Sequence, residues 1–600
     1  MAYFLSTTIS AGLFFSFTMF IFHPDKGTFK SYIEASLYAA EMIAYFFLFF
    51  FVFYSISVFL KSRYKEFGIL YMMGISKKKM LKMVFIENIF ISLAATLSGI
   101  VTGLIFSRLF LLMIEQLLRT QTLPFYFPLK AIWITAAAFI IMSLCVSVFT
   151  SWIIKEKDIL NLLKGSKKPK PAPKASLLLA VTGVILLATG YGLSFRGNKE
   201  NLDKMILIVV GLVVIATYFL FTQFSVFIIA FLQKQRYFYR KHTNLIWISN
   251  LLYRIKDNAR MFFIICITST AAFVSIGTCF AYWEQTLDSV EKKYPLAFTY
   301  QTFGENPAAG EEIQFIEQQL RKEGLSYQKI VIASRYSSSA GGESIPLIQE
   351  STYNQLAGQL GKNPVSLQDD ESVKLINTDQ DIYDVNDLMI DGITVRSTSE
   401  IKQKVMTDQP AILYVVSDSL FARAGSAESL QYTFNVKDWD QTYRVFDAYD
   451  QKYGSDEKSL LISKSHVYET EKRAYGTIMF LSVFIGVIFF VTSGSFIYNK
   501  FYIDVETDKK KYKQMYKIGL TYTEIRRIVT MEMGILFLLP YIAACIHSFV
   551  ALSVLRHIFG IEVGTAAFLV MGSFLILQLL YYTYIRRNYL LEISNELNLG

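Results

Sequence analysis

The amino-acid sequence predicts a polytopic α-helical membrane protein of about ten transmembrane helices, with one extracellular α/β domain between the seventh and eighth. Three observations lead to this fold class. Hydrophobic residues make up 53% of the 600 residues and charged residues only 18%, against a charged share of about 25% in soluble domains. The apolar residues are concentrated in ten long stretches. One long polar segment separates the seventh stretch from the eighth.

Each apolar stretch is long enough to cross a bilayer, since a hydrocarbon core of about 30 Å requires about 20 residues of helix. The first stretch lacks the basic residues and the small-residue cleavage site of a signal peptide, so we expect it to be an uncleaved span. The predicted spans are Ala2–Ile21, Ser36–Leu60, Val84–Met113, Lys130–Ile154, Ser176–Phe195, Met205–Leu232, Met261–Trp283, Ala474–Tyr498, Met531–Leu555 and Gly564–Tyr584.

The loops between the spans alternate in their content of Lys and Arg. Four loops carry seven basic residues each, whereas two of the others carry only two and one. Because basic residues are enriched in cytoplasmic loops, this alternation predicts that both termini are cytoplasmic and that the polar segment is outside. The basic loops are Lys61–Met83, Lys155–Ala175, Gln233–Arg260 and Phe501–Thr530, and the two poor loops are Phe22–Ala35 and Ile114–Leu129.

These spans and loops predict five segments. Residues 1–154 form a first four-span unit, and residues 155–175 form a cytoplasmic linker that includes the Pro- and Lys-rich run GSKKPKPAPK. Residues 176–283 hold spans five to seven, and residues 474–600 hold spans eight to ten. Between them, residues 284–473 alternate helical periodicity with short apolar runs, which predicts the α/β domain.

Motifs for catalysis and metal binding are absent from the sequence. There is no G-x-x-x-x-G-K-[ST] loop for nucleotide phosphates, no H-E-x-x-H and no G-x-S-x-G. The five His residues lack zinc-ligand spacing, and the four Cys residues lie in apolar stretches. We therefore expect no catalytic residue, metal or cofactor on this chain. We expect no nucleic-acid partner either, because the basic residues flank the spans instead of forming one patch.

A short internal repeat occupies the first and last basic loops. Aligned without gaps, Lys65–Lys77 and Lys510–Tyr522 share Lys, Tyr and Gly, and in both copies a Glu follows thirteen residues after the Gly. Apolar residues at i, i+3 and i+4 predict an amphipathic helix ended by glycine in each loop, near residues 64–83 and 509–530. Two equivalent helices suit two copies of one partner, and ATPase subunits would supply the phosphate site that this chain lacks. The aligned pairs are Lys65 and Lys510, Phe67 and Tyr512, Leu70 and Met515, Tyr71 and Tyr516, Gly74 and Gly519, and Glu87 and Glu532.

The first copy resembles the signature of FtsX-like ABC transporter permeases. The run from Arg63 to Gly74 matches the pattern R-x-K-E-x-G-x-L-x-x-x-G. Ten spans with a large outside domain between the seventh and eighth resemble the BceB-like branch, the bacitracin-type peptide-resistance permeases of Gram-positive bacteria. The second copy departs from the pattern, because Lys511 and Lys513 stand where the first copy has Glu66 and Gly68.

The resemblance implies a permease subunit in the cell membrane that pairs with two copies of a cytoplasmic ABC ATPase, on which ATP and Mg²⁺ bind. It implies resistance to cationic peptide antibiotics such as bacitracin, which act on lipid-linked cell-wall precursors. A membrane histidine kinase is a further implied partner. The residues assigned to ATPase coupling are Arg63, Lys65, Glu66, Gly68, Leu70, Tyr71, Gly74, Tyr512, Met515, Tyr516 and Gly519.

The predicted outside domain is acidic. Between Leu296 and Ala474 there are 27 Asp and Glu residues and 17 Lys and Arg residues. The excess of negative charge creates a field that attracts cations. We therefore expect the domain to recognise a cationic peptide or its complex with a lipid-linked precursor. The alternative is that the acidity only keeps the domain soluble. The residues assigned to recognition are Asp369, Asp370, Glu371, Asp379, Asp381, Asp384 and Asp387.

Two other functions remain open. An FtsX-like transmitter would pass ATPase cycles to an extracellular partner such as a cell-wall hydrolase, but ten spans are more than the four typical of such a protein. A secondary transporter would need acidic groups at the bilayer midplane, whereas Glu41 and Glu87 lie near span ends.

Two more ionisable residues have structural interpretations. The run Arg254–Arg260 before the seventh span either contacts the ATPase or only satisfies the bias of basic residues toward the cytoplasm, and we expect the latter of Arg254. His547 is expected to be buried and hydrogen-bonded within its span.

Overall fold

The chain forms two compact units. The computed structural model describes residues 2–24, 31–118, 124–153, 175–197, 201–302, 306–339, 344–369, 371–376, 388–390, 393–407, 412–424, 429–454 and 458–597. The first unit comprises Met1–Trp283 and Ala474–Gly600, and the second comprises Glu284–Arg473. Helices build the first unit, whereas the second combines helices with a β-sheet.

Long apolar helices dominate the first unit. A short π-helical segment, Leu220–Phe224, joins the helices Leu202–Phe219 and Ser225–Lys234. The helices of the whole chain are α1 (Ala2–Ile21), α2 (Ser31–Ser62), α3 (Tyr64–Met72), α4 (Lys77–Leu118), α5 (Leu129–Ile153), α6 (Leu177–Ser194), α7 (Leu202–Phe219), α8 (Ser225–Lys234), α9 (Arg236–Tyr239), α10 (Asn244–Lys293), α11 (Ala309–Lys322), α12 (Glu350–Gln359), α13 (Asp418–Arg423), α14 (Tyr443–Tyr453), α15 (Lys464–Lys517), α16 (Tyr522–Phe559) and α17 (Gly564–Glu596).

In the described part of the chain, ten helical segments are long and apolar enough to cross a membrane. This confirms the predicted number of spans. Several helices extend far beyond the predicted bounds: α10 has 50 residues and α15 has 54, whereas about 20 residues cross a bilayer core. At about 1.5 Å per residue, each of these two helices is more than about 70 Å long. Both therefore continue well past the thickness of a bilayer core.

The two amphipathic helices have different bounds from those predicted. The first is α3, which ends at Met72, and the residues from Lys77 onward belong to α4. The second is the last part of α15 rather than a separate helix, and α16 begins at Tyr522. The ranges 64–83 and 509–530 are corrected accordingly, since each contains a glycine turn. Helix α15 runs unbroken into the second copy because residues 495–517 contain neither Gly nor Pro.

Glycines allow α1 and α4 to pack closely. A Cβ atom at Gly99 would lie 2.6 Å from the carbonyl oxygen of Thr8, so a larger residue does not fit there. Gly99 and Gly103 form a G-x-x-x-G pair, the small-residue pattern by which membrane helices approach each other. Helix α1 also contacts α15, since Phe17 stacks on Phe484 with ring centroids 4.4 Å apart. The first helix thus packs at the centre of the first unit.

The second unit is an α/β domain, as predicted. Its described residues form a nine-stranded mixed sheet in the order β3-β7-β4-β6-β5-β2-β8-β1-β9. The β3–β7 and β4–β6 pairs are parallel, and the other pairs are antiparallel. Helices α11 and α14 bury their apolar faces with Phe298 and Phe434 in one core. The strands are β1 (Phe298–Thr302), β2 (Tyr327–Ser339), β3 (Ser344–Gln349), β4 (Glu371–Ile376), β5 (Leu388–Ile390), β6 (Ile393–Lys402), β7 (Ile412–Val416), β8 (Ser429–Val436) and β9 (Ser459–Ser463).

Candidate functional site

The first half of the candidate site is the turn between α3 and α4. The backbone amide of Ile75 donates to the carbonyl of Leu70 at 3.2 Å, and the amide of Gly74 donates to the carbonyl of Tyr71 at 3.0 Å. These two bonds form a Schellman motif, which satisfies the last carbonyls of a helix and requires a residue with positive φ. Gly74 has a φ of 88°, a conformation that glycine adopts without a steric penalty.

The second half of the candidate site is the turn between α15 and α16, and it repeats the same hydrogen bonds. The amide of Leu520 donates to the carbonyl of Met515 at 3.1 Å, and the amide of Gly519 donates to the carbonyl of Tyr516 at 3.1 Å. Gly519 has a φ of 107°. All four residues occupy the positions that the ungapped alignment assigns to their counterparts in the first turn. The internal repeat is therefore present in the structure as well as in the sequence.

An exposed apolar side chain lies at the tip of each turn. Met73 is 77% exposed and Ile518 is 85% exposed, and the two residues occupy equivalent positions immediately before the glycine. Sequence reasoning missed both, because the i, i+3, i+4 pattern pointed to residues one turn earlier. The signal that could have found them is the apolar residue before the glycine in both copies. We call Met73 and Ile518 the tip residues.

The predicted coupling residues differ in how accessible they are. Leu70, Tyr71 and Met515 are half-buried, and Gly68 and Tyr512 are buried. Burial raises the pKa of the Tyr512 hydroxyl well above its usual range. The residues that present an exposed surface are Glu66, Gly74, Tyr516 and Gly519, and the side chain of Lys65 lies outside the described part of the structure.

Arg63, at the start of α3, links α3 to α4. Its Nε donates to Glu66 Oε2 at 2.8 Å, and its Nη1 donates to Glu87 Oε1 at 2.5 Å. The structure thus brings together two predicted residues, Arg63 and Glu66, with Glu87 of α4. A groove of about 570 Å³ opens beside Glu87 and is lined by two lysines and two apolar residues. The residues lining this groove are Lys79, Lys82, Met83, Ile86 and Glu87.

A buried ionic cluster joins the two helices that flank the second turn. Arg254 of α10 donates to the carboxylate of Asp508, and its Nε lies 3.3 Å from Glu532 Oε2. These three side chains are 12%, 9% and 1% exposed. Asn250 donates to Glu532 at 2.7 Å and accepts a hydrogen bond from Lys511. Burial lowers the pKa of the Lys511 ammonium group. Two cations and two carboxylates therefore join α10, α15 and α16 in one cluster.

This cluster occupies the position that the Arg63–Glu87 pair has in the first copy. In the ungapped alignment Asp508 matches Arg63, and Glu532 matches Glu87. The second copy thus carries two carboxylates where the first has an ion pair, and Arg254 supplies the cation from another helix. The expectation that Arg254 serves only the charge bias of the loops is wrong, because its side chain is buried against two carboxylates.

Of the seven acidic residues assigned to peptide recognition, two are described. Asp369 Oδ1 accepts a hydrogen bond from Ser419 at 2.7 Å, and Glu371 Oε2 accepts one from the amide of Gln368 at 3.0 Å. Asp369 thus binds helix α13, whereas Glu371 binds the backbone just before its own strand. Their role in recognition stays a prediction. The other five, Asp370, Asp379, Asp381, Asp384 and Asp387, lie outside the described residues.

Comparison with known proteins identifies relatives over the full length of the chain. The family model described as FtsX-like permease C-terminal matches residues 38–159, which include the first turn. The ABC transporter permease protein YxdM of Bacillus subtilis is 32% identical over 99% of this chain and 97% of its own length. The bacitracin export permease proteins BceB of Bacillus subtilis and Halalkalibacterium halodurans are 23% and 20% identical, each over 97% of this chain and 96% of its own length.

Proposed function

We infer the function of this chain from its family, since it belongs to the FtsX-like permeases of ABC transporters. A permease of this family implies a partner ATPase. We propose that two copies of that ATPase bind in the cytoplasm, one at the turn after α3 and one at the turn after α15. ATP and Mg²⁺ bind to the ATPase, and this chain acts as the transport subunit.

The pair of equivalent turns is the observation that carries this proposal. Each turn ends a helix with the same hydrogen bonds and presents one exposed apolar tip residue, Met73 or Ile518. Apolar side chains of this kind form the centres of protein interfaces, where they are removed from water. Two matching tips provide two matching binding sites. This is the arrangement that a pair of identical ATPase subunits requires.

The basic residues around the turns support their placement in the cytoplasm. Exposed lysines, among them Lys78 and Lys79, follow the first turn, and Lys513 and Lys517 precede the second. Because cytoplasmic loops are enriched in Lys and Arg, both turns belong on that side. The same reasoning puts both termini in the cytoplasm and the α/β domain outside the cell membrane.

For the α/β domain we propose recognition of a cationic peptide antibiotic or of its complex with a lipid-linked cell-wall precursor. Its excess of acidic residues over basic ones favours a cationic ligand. Two relatives, from Bacillus subtilis and Halalkalibacterium halodurans, are bacitracin export permeases. In this proposal the protein confers resistance in a Gram-positive bacterium. A membrane histidine kinase as a second partner would add a sensing role.

Copurification with the ATPase tests the proposal. Truncating both tip residues, in a Met73→Ala/Ile518→Ala variant, removes two exposed apolar contacts and should reduce ATPase recovery at least about tenfold if they are interface hot spots. The matched control truncates two similarly exposed apolar residues on membrane helices α7 and α17, Leu207→Ala and Phe568→Ala, and should keep normal recovery. Equal recovery in both double variants would contradict docking at the tips.

A further inference from the structure

The last parts of α15 and α17 both continue beyond the predicted spans. The predicted eighth span ends at Tyr498, so α15 extends for about 28 Å more before it ends at Lys517. The predicted tenth span ends at Tyr584, and α17 extends for about 18 Å more to Glu596. We call this part of α17 its terminal segment. The second turn directly follows the end of α15, so any element that holds this helix end also sets the position of the turn.

Two ion pairs join the terminal segment of α17 to α15. Lys509 Nζ lies 2.5 Å from Glu592 Oε2, and Lys513 Nζ lies 2.6 Å from Glu596 Oε1. The two lysines are four residues apart, and so are the two glutamates, so each set occupies one face of its helix. The residue numbers increase together along both helices. The two helix ends therefore run parallel to each other and in register.

Buried side chains pack between the same two helix ends. Tyr512 of α15 and Ile593 of α17 are fully buried and belong to one apolar core. The hydroxyl of Tyr589, which is also buried in this core, donates to the carboxylate of Asp508. An exposed ion pair alone contributes little to stability, whereas packed apolar side chains fix the distance between two helices. The ion pairs add a defined register to this packing.

These contacts explain two positions at which the second copy departs from the family signature. Lys513 stands where the first copy has Gly68, and Lys511 stands where it has Glu66. Lys513 binds α17, and Lys511 donates a hydrogen bond to α10. In the first copy, Glu66 instead binds Arg63, only three residues away, and Gly68 has no side chain. Both departures therefore provide the second copy with contacts to helices that are distant in sequence.

We propose that the terminal segment of α17 positions the second turn for the ATPase. Glu592 and Glu596 are positioning residues that act through α15. By binding Lys509 and Lys513, they hold in place the helix end that carries the tip residue Ile518. The inference rests on the proposed function, since it requires an ATPase at the second turn. Loss of the two ion pairs should weaken docking at the second turn and leave docking at the first turn unchanged.

Photocrosslinking from each tip residue tests this inference in the full-length chain with its ATPase. The variant Glu592→Lys/Glu596→Lys places like charges beside Lys509 and Lys513. With benzoylphenylalanine in place of Ile518, the yield of ATPase adduct should fall at least about threefold in this variant. With the same probe at the first tip residue, the yield should equal that of the wild type, because the first turn lies on other helices. A general loss of stability would not produce this difference between the two tips.

Exchanging the charges of both ion pairs provides a second test. Adding Lys509→Glu/Lys513→Glu to the first variant restores two ion pairs and the net charge of the wild type, so the adduct from the second tip residue should return. The matched control Asn588→Lys/Asn595→Lys places two lysines at exposed positions of the same terminal segment. This control should crosslink like the wild type at both tips.

Three results would overturn the inference. They are an unchanged adduct from the second tip residue in the first variant, an equal fall at both tips, and no recovery after the charge exchange. Failure of the proposed function would show separately, as a wild-type chain that forms no ATPase adduct from either tip residue.

Discussion

Arg254 and Glu532 form an ion pair between α10 and α16, with 3.3 Å between the guanidinium Nε and the carboxylate Oε2. Glu532 is the counterpart of Glu87 in the internal repeat, and Glu87 binds Arg63 from the segment just before the first turn. In the second copy the arginine comes from a different helix. The two halves thus neutralise equivalent carboxylates in different ways. Helix α10 supplies the arginine for Glu532, whereas the arginine for Glu87 comes from the same repeat copy.

Loss of Arg254 should destabilise the protein more than loss of an exposed arginine. Arg254→Met leaves Asp508 and Glu532 buried without their shared cation, and removing one partner of a buried pair costs about 3–5 kcal/mol. Thermal unfolding of the purified chain should therefore shift to lower temperature. Arg260→Met, the same change at an exposed residue of α10, should unfold like the wild type.

Moving the arginine to another position in the cluster extends this prediction. Adding Asp508→Arg to Arg254→Met recreates the arginine position of the first copy and removes one of the two carboxylates. Part of the lost thermal stability should return. A double variant that is less stable than Arg254→Met alone would contradict the structural equivalence of Arg63 and Asp508.

Loss of the His547 side chain should weaken the packing of α16 against two other membrane helices. The His547 ring nitrogens lie 2.5 Å from the Tyr191 hydroxyl and 3.0 Å from the Thr217 hydroxyl, which confirms the expected buried, hydrogen-bonded role. His547→Leu leaves the Tyr191 hydroxyl without its ring partner, at a cost of about 1–3 kcal/mol. The Thr217 hydroxyl keeps its hydrogen bond to the carbonyl of Val213, so its loss costs less. The melting temperature of the chain in detergent should fall, whereas His557→Leu at an exposed residue of α16 should have little effect. Equal melting temperatures would refute this role.

The local features of this fold could be predicted from the sequence, and the distant contacts could not. Hydropathy indicates the ten spans, and the positions of Gly74 and Gly519 indicate both turns, because each signal lies within a short segment. The partner of Arg254 is different: Asp508 lies 254 residues away, and no local pattern marks it. The exposure of the tip residues also depends on packing. The i, i+3, i+4 pattern identifies an apolar face but does not show which of its residues the neighbouring helices cover.

Alanine at either turn glycine should weaken ATPase coupling. Gly74→Ala and Gly519→Ala place a side chain at a positive φ, which costs about 1–2 kcal/mol per residue. The turn should open and displace its tip residue, so that ATPase copurification falls while membrane insertion stays normal. Gly572→Ala is the control, because a Cβ there lies in helix α17 with nothing within 4 Å. Full copurification in the Gly74→Ala/Gly519→Ala variant would show that the turns do not hold the partner.

Neutralising the acidic string should weaken peptide recognition in a salt-dependent way. Changing Asp379, Asp381, Asp384 and Asp387 to Asn removes four negative charges from one segment. Electrostatic attraction acts over a Debye length of about 8 Å at physiological salt and further at low salt, so binding of a cationic peptide should fall most at low salt. Four Asp→Asn changes elsewhere in the domain separate recognition from general acidity. The control residues are Asp438, Asp440, Asp447 and Asp450. Equal binding in both variants would leave the acidity as a determinant of solubility alone.

Site-specific photocrosslinking from the tip residues tests the central claim most directly. A benzoylphenylalanine placed at position 73 or 518 reacts only with groups that it contacts, and the same probe at position 207, an exposed site on membrane helix α7, serves as the control. We predict an adduct with the ATPase from each tip, two ATPase copies per chain when both tips carry the probe, and no ATPase adduct from position 207. Absence of an ATPase adduct from both tips in an intact, ATP-hydrolysing complex would contradict docking of the ATPase at the tip residues.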